Sequence, residues 1–403
     1  MTEAVAADLP AFPVARTCPF APPERYARLR AEQPVSEVRL PSGRTAWVVA
    51  THALVRQALT DPRLSSDRLK PGFPLLLPIP TEALAKLTPS LLGIDPPKHT
   101  LHRRMVITEF TVKRVRALRP HIQRGVDAAI DAMIAGPRPV DLVRALSLPV
   151  PTQLICELLG VPYRDRELFQ AITKLITSRT STAEERGRAN AELTAYLELL
   201  VATNEATPDD GLIGRLVVRY READRYDRAE LVGLARLLLL AGHETTANMI
   251  SLGVVALLEN PRQLADFKAD PALAGQTVEE LLRFFSVAEL ISARVATEDL
   301  RLGDVVVRAG EGVIALGGAA NHDETVFPRP GTVDIHRNAR RHVAFGYGIH
   351  QCLGQNLARL ELEVVYGTLF RRLPDLRLAV PVERLRFKHD SEIYGIHEVP
   401  VTW

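Results

Sequence analysis

The chain has 403 residues, 46% of them hydrophobic and 24% charged, and a formal net charge of +2. That is the make-up of a globular protein with a large core, and so even a charge balance argues against a nucleic-acid partner. Its three cysteines, Cys18, Cys156 and Cys352, are too few and too scattered for a disulfide framework or a tetrahedral zinc site, which fits a reducing compartment.

Met1 to Asp8 lack a basic stretch followed by an apolar core, so neither a signal peptide nor a membrane anchor is expected. Pro10, Pro13, Pro19, Pro22 and Pro23 mark an irregular strap. Val35 to Val49 reads as a hairpin, two extended runs joined at Pro41-Ser42-Gly43. Residues 71–97, rich in proline and leucine, predict a long apolar loop of the kind that often carries function. Helical patterns fill most of 98–285. The most apolar run there, Leu237 to Ala241, falls far short of the ~20 residues that span a bilayer. Short strands return over 293–317, followed by an irregular stretch over 320–351. No repeat, low-complexity tract or linker divides the chain, which predicts one mainly α domain, residues 1–403, with a small β region.

One helix stands out by length. Asp227-Arg228-Ala229-Glu230 has capping-box spacing, and Pro261 limits the helix it opens. About 31 residues at 1.5 Å each span roughly 46 Å, enough to cross a globular domain. Its middle reads Ala241-Gly242-His243-Glu244-Thr245-Thr246, polar groups in an apolar run. A buried threonine can simply bond the carbonyl four residues back. A glycine, an acid and two threonines at mid-helix nevertheless weaken the helix without packing gain, and such local failures mark functional sites. Leu237, Leu240, Ala241 and Thr245 share one face of it. Further along, Glu280-Leu281-Leu282-Arg283 says little alone. Thr277 and Glu280 have capping-box spacing, and Glu279 with Arg283 is an ordinary i, i+4 pair.

Phe345-Gly346-Tyr347-Gly348-Ile349-His350-Gln351-Cys352-Leu353-Gly354 sets a lone cysteine in a glycine-rich turn. The helical face Leu353, Leu357, Leu360 and Val364 follows it. Gly346 and Gly348 allow a tight turn and close approach to a flat ligand. The helix N-terminus favours negative charge on sulfur and so predicts a lowered thiol pKa. Single cysteines are more often inert core residues, but a thiolate in an apolar surround is an axial ligand for haem iron.

Phe345, Gly348, Cys352 and Gly354 meet every fixed position of Phe-x-x-Gly-x-x-x-Cys-x-Gly, and the segment resembles the haem-binding loop of the cytochrome P450 family. Ala241 to Thr246 is similar to that family's oxygen-binding groove. Glu280 to Arg283 and Val333-Asp334-Ile335-His336-Arg337 resemble its Glu-x-x-Arg and Phe-Asp-x-x-Arg elements, with Val333 departing from the usual aromatic and His322 from the usual arginine. Asp95 to Arg104 resembles its propionate-binding helix. The resemblance runs from near Val38 to Trp403. Through Leu64 to Arg68 and Pro71-Gly72-Phe73-Pro74 it points to the actinobacterial subgroup of broad substrate range.

The resemblance implies the P450 fold, a triangular helical prism with haem (heme b) between the long central helix and the helix after Cys352. It implies iron ligated by Cys352, propionates held by His99, Arg103, Arg294 and His350, and Phe345, Gly346 and Ala241 against the macrocycle. Glu244 and Thr245 become the proton relay, with Gly242 leaving room for oxygen. Glu280, Arg283 and Arg337 become a buried ion network. The implied substrate pocket is Leu92, Leu237, Leu240, Ala241, Gly242, Leu290, Ile291 and Ile393. Glu289 is either a polar selector in that pocket or, as is commoner, a solvent-facing residue. The implied activity is a soluble, cytoplasmic, monomeric monooxygenase without membrane attachment. It inserts one atom of O2 into a C–H bond or alkene of a bulky, mostly apolar small molecule, a secondary metabolite or xenobiotic. Nothing in the chain binds flavin or nicotinamide, so electrons come from a ferredoxin and its NAD(P)H-dependent reductase. Lys113, Arg114, Arg116 and Arg119 either steer that ferredoxin or form a solvated helix face. A peroxide-driven peroxygenase and a non-catalytic haem sensor are the alternatives, and neither requires the Glu244–Thr245 pair.

Overall fold

The computed structural model describes residues 9–76, 90–288 and 292–403. Leu290, Ile291 and Glu289 of the expected pocket lie outside the described residues, as do residues 77–89 of the apolar loop. The described parts of that loop, 71–76 and 90–97, contain neither helix nor strand.

Nine helices carry the site and its surroundings: α1 (Lys98–Ile107), α2 (Arg119–Ala135), α3 (Pro149–Leu159), α4 (Arg166–Thr177), α5 (Ala183–Ala206), α6 (Leu212–Glu222), α7 (Arg228–Leu258), α8 (Ala274–Phe285) and α9 (Gln355–Arg372). The long helix is the expected one, 31 residues from Arg228 to Leu258. Its N-cap is half of the expected box. Asp227 accepts the Glu230 N–H at 3.0 Å, but the Glu230 carboxylate turns instead to Lys98 (2.6 Å) and His102 (2.9 Å). The acid thereby ties the start of α7 to α1. A complete capping box opens α5, between Thr182 and Glu185.

A five-stranded sheet flanks the helices. Strands β1 (Val35–Arg39) and β2 (Thr45–Val49) form the expected hairpin, with Val35 opposite Val49. The others are β3 (Leu64–Ser65), β4 (Ala293–Ala296) and β5 (Gly312–Ala315), and the order is β1-β2-β5-β4-β3. Only the β2–β5 pair is parallel. Alternation presents Arg294, on β4 opposite Val313, to the opposite face from its neighbours. Pro400–Thr402 pairs with Val140–Asp141 and Arg377–Leu378 in a second, three-stranded sheet.

Every residue of α7 from Thr246 to Leu257 is buried, so this half of the helix runs through the core. Where it meets α9, Gly253 leaves the space that Tyr366 fills. A Cβ on Gly253 would overlap the Tyr366 hydroxyl and come within 2.6 Å of Cζ. The hydroxyl donates to Met249 O at 2.6 Å. Leu357, Leu360 and Val364 of α9 are buried, as their spacing predicts. Among the described residues, no helix is long and apolar enough to cross a membrane.

Candidate active site

The cysteine loop is folded by its own backbone. Cys352 N–H donates to Phe345 O (2.8 Å), Gly346 N–H to Val343 O (2.9 Å) and Gln351 N–H to Gly348 O (3.1 Å). Gly346 (φ +69°) and Gly348 (φ +74°) occupy the left-handed region that these turns require. The two glycines differ in what they face. A Cβ on Gly346 would meet open space, whereas one on Gly348 would lie 2.8 Å from Leu59 O. The close approach at Gly348 is therefore to the helix His52–Thr60, not to a flat ligand. Amide N–H groups of Gly354 and Gln355 donate to the Cys352 sulfur, and Arg103 and Arg359 add positive charge. Burial outweighs these contributions and pushes the thiol up, contrary to the expected lowering. Cys352 still carries accessible surface although protein surrounds it, as on the wall of an internal hollow.

The residues around that wall fit an acidic prosthetic group. His99 is buried, and neither ring nitrogen has a hydrogen-bond partner among the described residues. Burial and the Arg103 charge push its pKa down to about 4. Arg294, brought down to about 10 by burial, makes one hydrogen bond among the described residues, to Ala293 O at 2.7 Å. An orphaned buried imidazole and an under-used guanidinium are the donors that haem carboxylates would take. Arg103 gives one N–H to Gln351 O (2.7 Å), which ties α1 to the cysteine loop. The expectation for His350 is corrected. Its Nδ1 pairs with Leu91 O (3.0 Å) and its Nε2 with Ser66 Oγ (2.8 Å). Burial and Arg294 depress its pKa to about 3, so the ring is neutral and has no free N–H for a carboxylate. His350 braces the loop and packs against His99, with ring centroids 4.2 Å apart and the rings tilted by 50°.

Glu280, Arg283 and Arg337 meet as expected. Arg283 forks onto Glu280 with two bonds of 2.8 Å, and both side chains are fully buried. Arg337 reaches the same carboxylate at 3.2 Å, and the Asp334 N–H donates to it at 3.0 Å. The network extends to the cysteine loop. Arg283 donates to Asn321 O (2.8 Å), Asn321 Oδ1 accepts the Val343 N–H (2.7 Å), and Val343 O holds Gly346. Glu279 is no partner of Arg283. It binds His342 (3.0 Å) and Arg359 (3.2 Å), and although burial works against it these partners bring its carboxyl down to about 2. Arg359 in turn lies 4.6 Å over the Phe345 ring.

At mid-α7 Ala241 is exposed, and Leu237, Leu240, Gly242, Glu244 and Thr245 are half-buried. The Thr245 hydroxyl donates to Ala241 O at 2.9 Å, the local bond that its position in the helix left open. Gly242 is corrected. A Cβ there would strike Ile155 of α3 at 2.7 Å, so the glycine serves close packing of α7 on α3. His243 is buried, with Nδ1 on Leu239 O at 2.7 Å. Burial pushes the Glu244 carboxyl up, but Lys388, His243 and Asn248 together hold it below the usual carboxylate range. Glu244 and Thr245 share no hydrogen bond. Of the remaining pocket candidates, Leu92 is half-buried and Ile393 buried.

Several residues had no signal in the sequence. Lys388 contacts Glu244 from 144 positions away. Arg68, with no hydrogen bond among the described residues, lies within electrostatic reach of Glu392 and Arg236. Asn248 was findable, being one helical turn after Glu244.

Comparison with known proteins agrees with this geometry. The family description "Cytochrome P450" matches residues 271–375. The vitamin D3 dihydroxylase of Streptomyces griseolus is 47% identical over 98% of this chain and 97% of its own. The crystal structure of cytochrome P450 MoxA (CYP105) from Nonomuraea recticatena is 55% identical, with a TM-score of 0.90 and 98% of both chains covered. That of the mycinamicin VIII C21 methyl hydroxylase from Micromonospora griseorubida, bound to mycinamicin VIII, is 44% identical, with a TM-score of 0.93 over 98% of this chain and 100% of its own. With a thiol presented as this family presents its axial ligand to haem iron, the chain belongs to the cytochrome P450 family, the haem-thiolate monooxygenases.

Proposed function

We propose that this monooxygenase hydroxylates or epoxidises a bulky, mostly apolar secondary metabolite or xenobiotic. It does so as a single-domain, monomeric, cytoplasmic enzyme supplied with electrons by a ferredoxin and its NAD(P)H-dependent reductase. The observation that carries this reading is at mid-α7, where Ala241 and Thr245 stay open in a buried helix beside an ionised Glu244. A peroxide-driven enzyme or a haem sensor has no use for that pair. The names of two relatives, acting on vitamin D3 and mycinamicin VIII, support a substrate of this kind.

Haem, when bound, supplies oxygen activation; the protein supplies everything around it. Cys352 is the iron ligand, and the Gly354 and Gln355 N–H groups with Arg103 and Arg359 stabilise negative charge on its sulfur. His99 and Arg294 hold the carboxylates. The Glu280–Arg283–Arg337 network keeps the loop from shifting under Cys352. Leu237, Leu240 and Ile393 exclude water and orient an apolar substrate. The Thr245 Oγ1 proton, turned off Ala241 O, is delivered on the substrate side and replaced through Glu244 from solvent.

The test has two stages. A compound library is screened for displacement of iron-bound water, seen as a change in haem spin state. Hits are then incubated with NADH and a surrogate ferredoxin and reductase. Oxygen uptake with a monooxygenated product is expected. Product formed only with added hydrogen peroxide, or no product at all, would contradict the proposal.

A further inference from the structure

Glu279 belongs neither to the network around Glu280 nor to mid-α7, yet it is buried close to the cysteine loop. Among the described residues it binds two side chains, each from a different segment. Arg359 of α9 forks onto it side-on: Nη2 donates to Oε2 at 3.2 Å, and Nε donates to Oε1. His342, from the stretch that leads into the loop, reaches Oε2 at 3.0 Å. The Ala344 N–H donates to His342 Nδ1 at 3.1 Å, so that nitrogen is an acceptor and Nε2 carries the hydrogen given to Glu279. Three segments are thereby tied at one carboxylate, whose side chain is 11% exposed. Glu363, one turn beyond Arg359, pairs with Arg119 at 3.2 Å. Glu279 is therefore the acid bound to Arg359.

The guanidinium also touches two residues that hold Cys352. Its third nitrogen, Nη1, donates to Gln355 Oε1 at 3.0 Å, and the Gln355 N–H is one of the two that reach the Cys352 sulfur. Its carbon lies over the Phe345 ring, 4.6 Å from the centroid, and Phe345 O accepts the Cys352 N–H. The His342 ring packs against the same phenyl ring, with centroids 5.9 Å apart. Arg359 and His342 thus share two partners, Glu279 and Phe345. Of the two cations acting on the sulfur, Arg103 has no carboxylate partner among the described residues, whereas Arg359 is held by one.

We infer that Arg359 is a positioning residue for electron entry: held on Phe345 by the Glu279–His342 pair, it places a partly neutralised positive charge beside the cysteine loop and so sets how readily the bound haem accepts an electron. The inference rests on the reading of Cys352 as the iron ligand. Accepting one electron, from the ferredoxin in the proposed cycle, adds one unit of negative charge and makes or breaks no bond at Arg359. A nearby cation favours that added charge and a nearby carboxylate opposes it. Glu279 and Arg359 therefore act in opposite directions on one equilibrium, although each braces the other.

The test measures the ferric–ferrous midpoint potential of the purified holoenzyme, by titration with dithionite and mediator dyes and without turnover. R359M is expected to shift the equilibrium about tenfold towards the ferric form, a fall of about 59 mV for a one-electron couple. E279Q, which puts a neutral amide in place of the carboxylate, is expected to shift it the other way. R359K keeps the charge but loses the fork, and is expected to lie between R359M and wild type. A packing role alone would lower haem content and Tm in both variants without moving their potentials apart. If R359M does not take up haem, R359Q carries the same comparison. Equal potentials in wild type and R359M, or shifts of the same sign in R359M and E279Q, would overturn the inference. The ligand reading is tested separately, by the reduced carbon monoxide complex. C352S is expected to lose the thiolate spectrum, and a C352S protein that keeps it would overturn that reading whatever the potentials show.

Discussion

Thr245→Ala removes one hydroxyl and its 2.9 Å bond to Ala241 O. Alanine is the best helix former, so fold, haem content and substrate binding are expected to survive. Product per NADH is expected to fall several-fold and hydrogen peroxide to rise, since electrons still enter but protons arrive out of order. An unchanged product yield per NADH would remove Thr245 from the relay. Glu361 offers a test of stability. It is buried in α9, one carboxylate oxygen has no partner among the described residues, and burial pushes its pKa up to about 8. The folded protein thus binds a proton there that the unfolded chain has lost. Stability is expected to fall as pH rises from the ordinary carboxylate value through about 8. Glu361→Gln is expected to remove that slope and to stabilise the protein by up to a few kcal/mol above it. Chemical unfolding at two pH values reads this directly, and an unchanged slope would mean that Glu361 ionises freely. Residues fixed by a local pattern, such as Cys352 and Thr245, were legible from the chain. The commitment of His350 to Ser66 and Leu91 was not, because it depends on where two other segments pass.

Between elements, two buried contacts can be tested, one behind the cysteine loop and one at the α7–α9 crossing. Arg283→Ala would leave Glu280 buried beside an empty site, and breaking such a pair costs about 3–5 kcal/mol. Low yield with little haem incorporation is expected. Wild-type yield and full haem content would show that the network is dispensable. Gly253→Ala would push Tyr366 out of the α7–α9 crossing, and overpacking of this kind costs about 1–3 kcal/mol. A lowered Tm is expected, and a Tm equal to wild type would show that the crossing relaxes freely. The long helix, the hairpin and the buried face of α9 followed from periodicity and caps, which are local. The meaning of Gly242 did not. A mid-helix glycine signals close approach, but only the packing of Ile155 shows that its neighbour is α3.

For the molecule as a whole, the family could be read from five short segments, while the substrate remained out of reach. Those segments build the part of the site that every reaction of this kind shares. Lys388 meets Glu244 at mid-α7 by a convergence that no spacing reports. The electrostatic proximity of Arg68 and Glu392 was invisible for the same reason. The central claim is that one oxygen atom of the product comes from O2, driven by electrons from a redox partner. Turnover of a spin-state hit under 18O-labelled O2 in ordinary water, with ferredoxin, reductase and NADH, tests it most directly. Mass spectrometry of the product is expected to show one labelled atom per molecule, and none when the label is in the water. An unlabelled product, or a labelled one that forms equally well without the reductase, would contradict it.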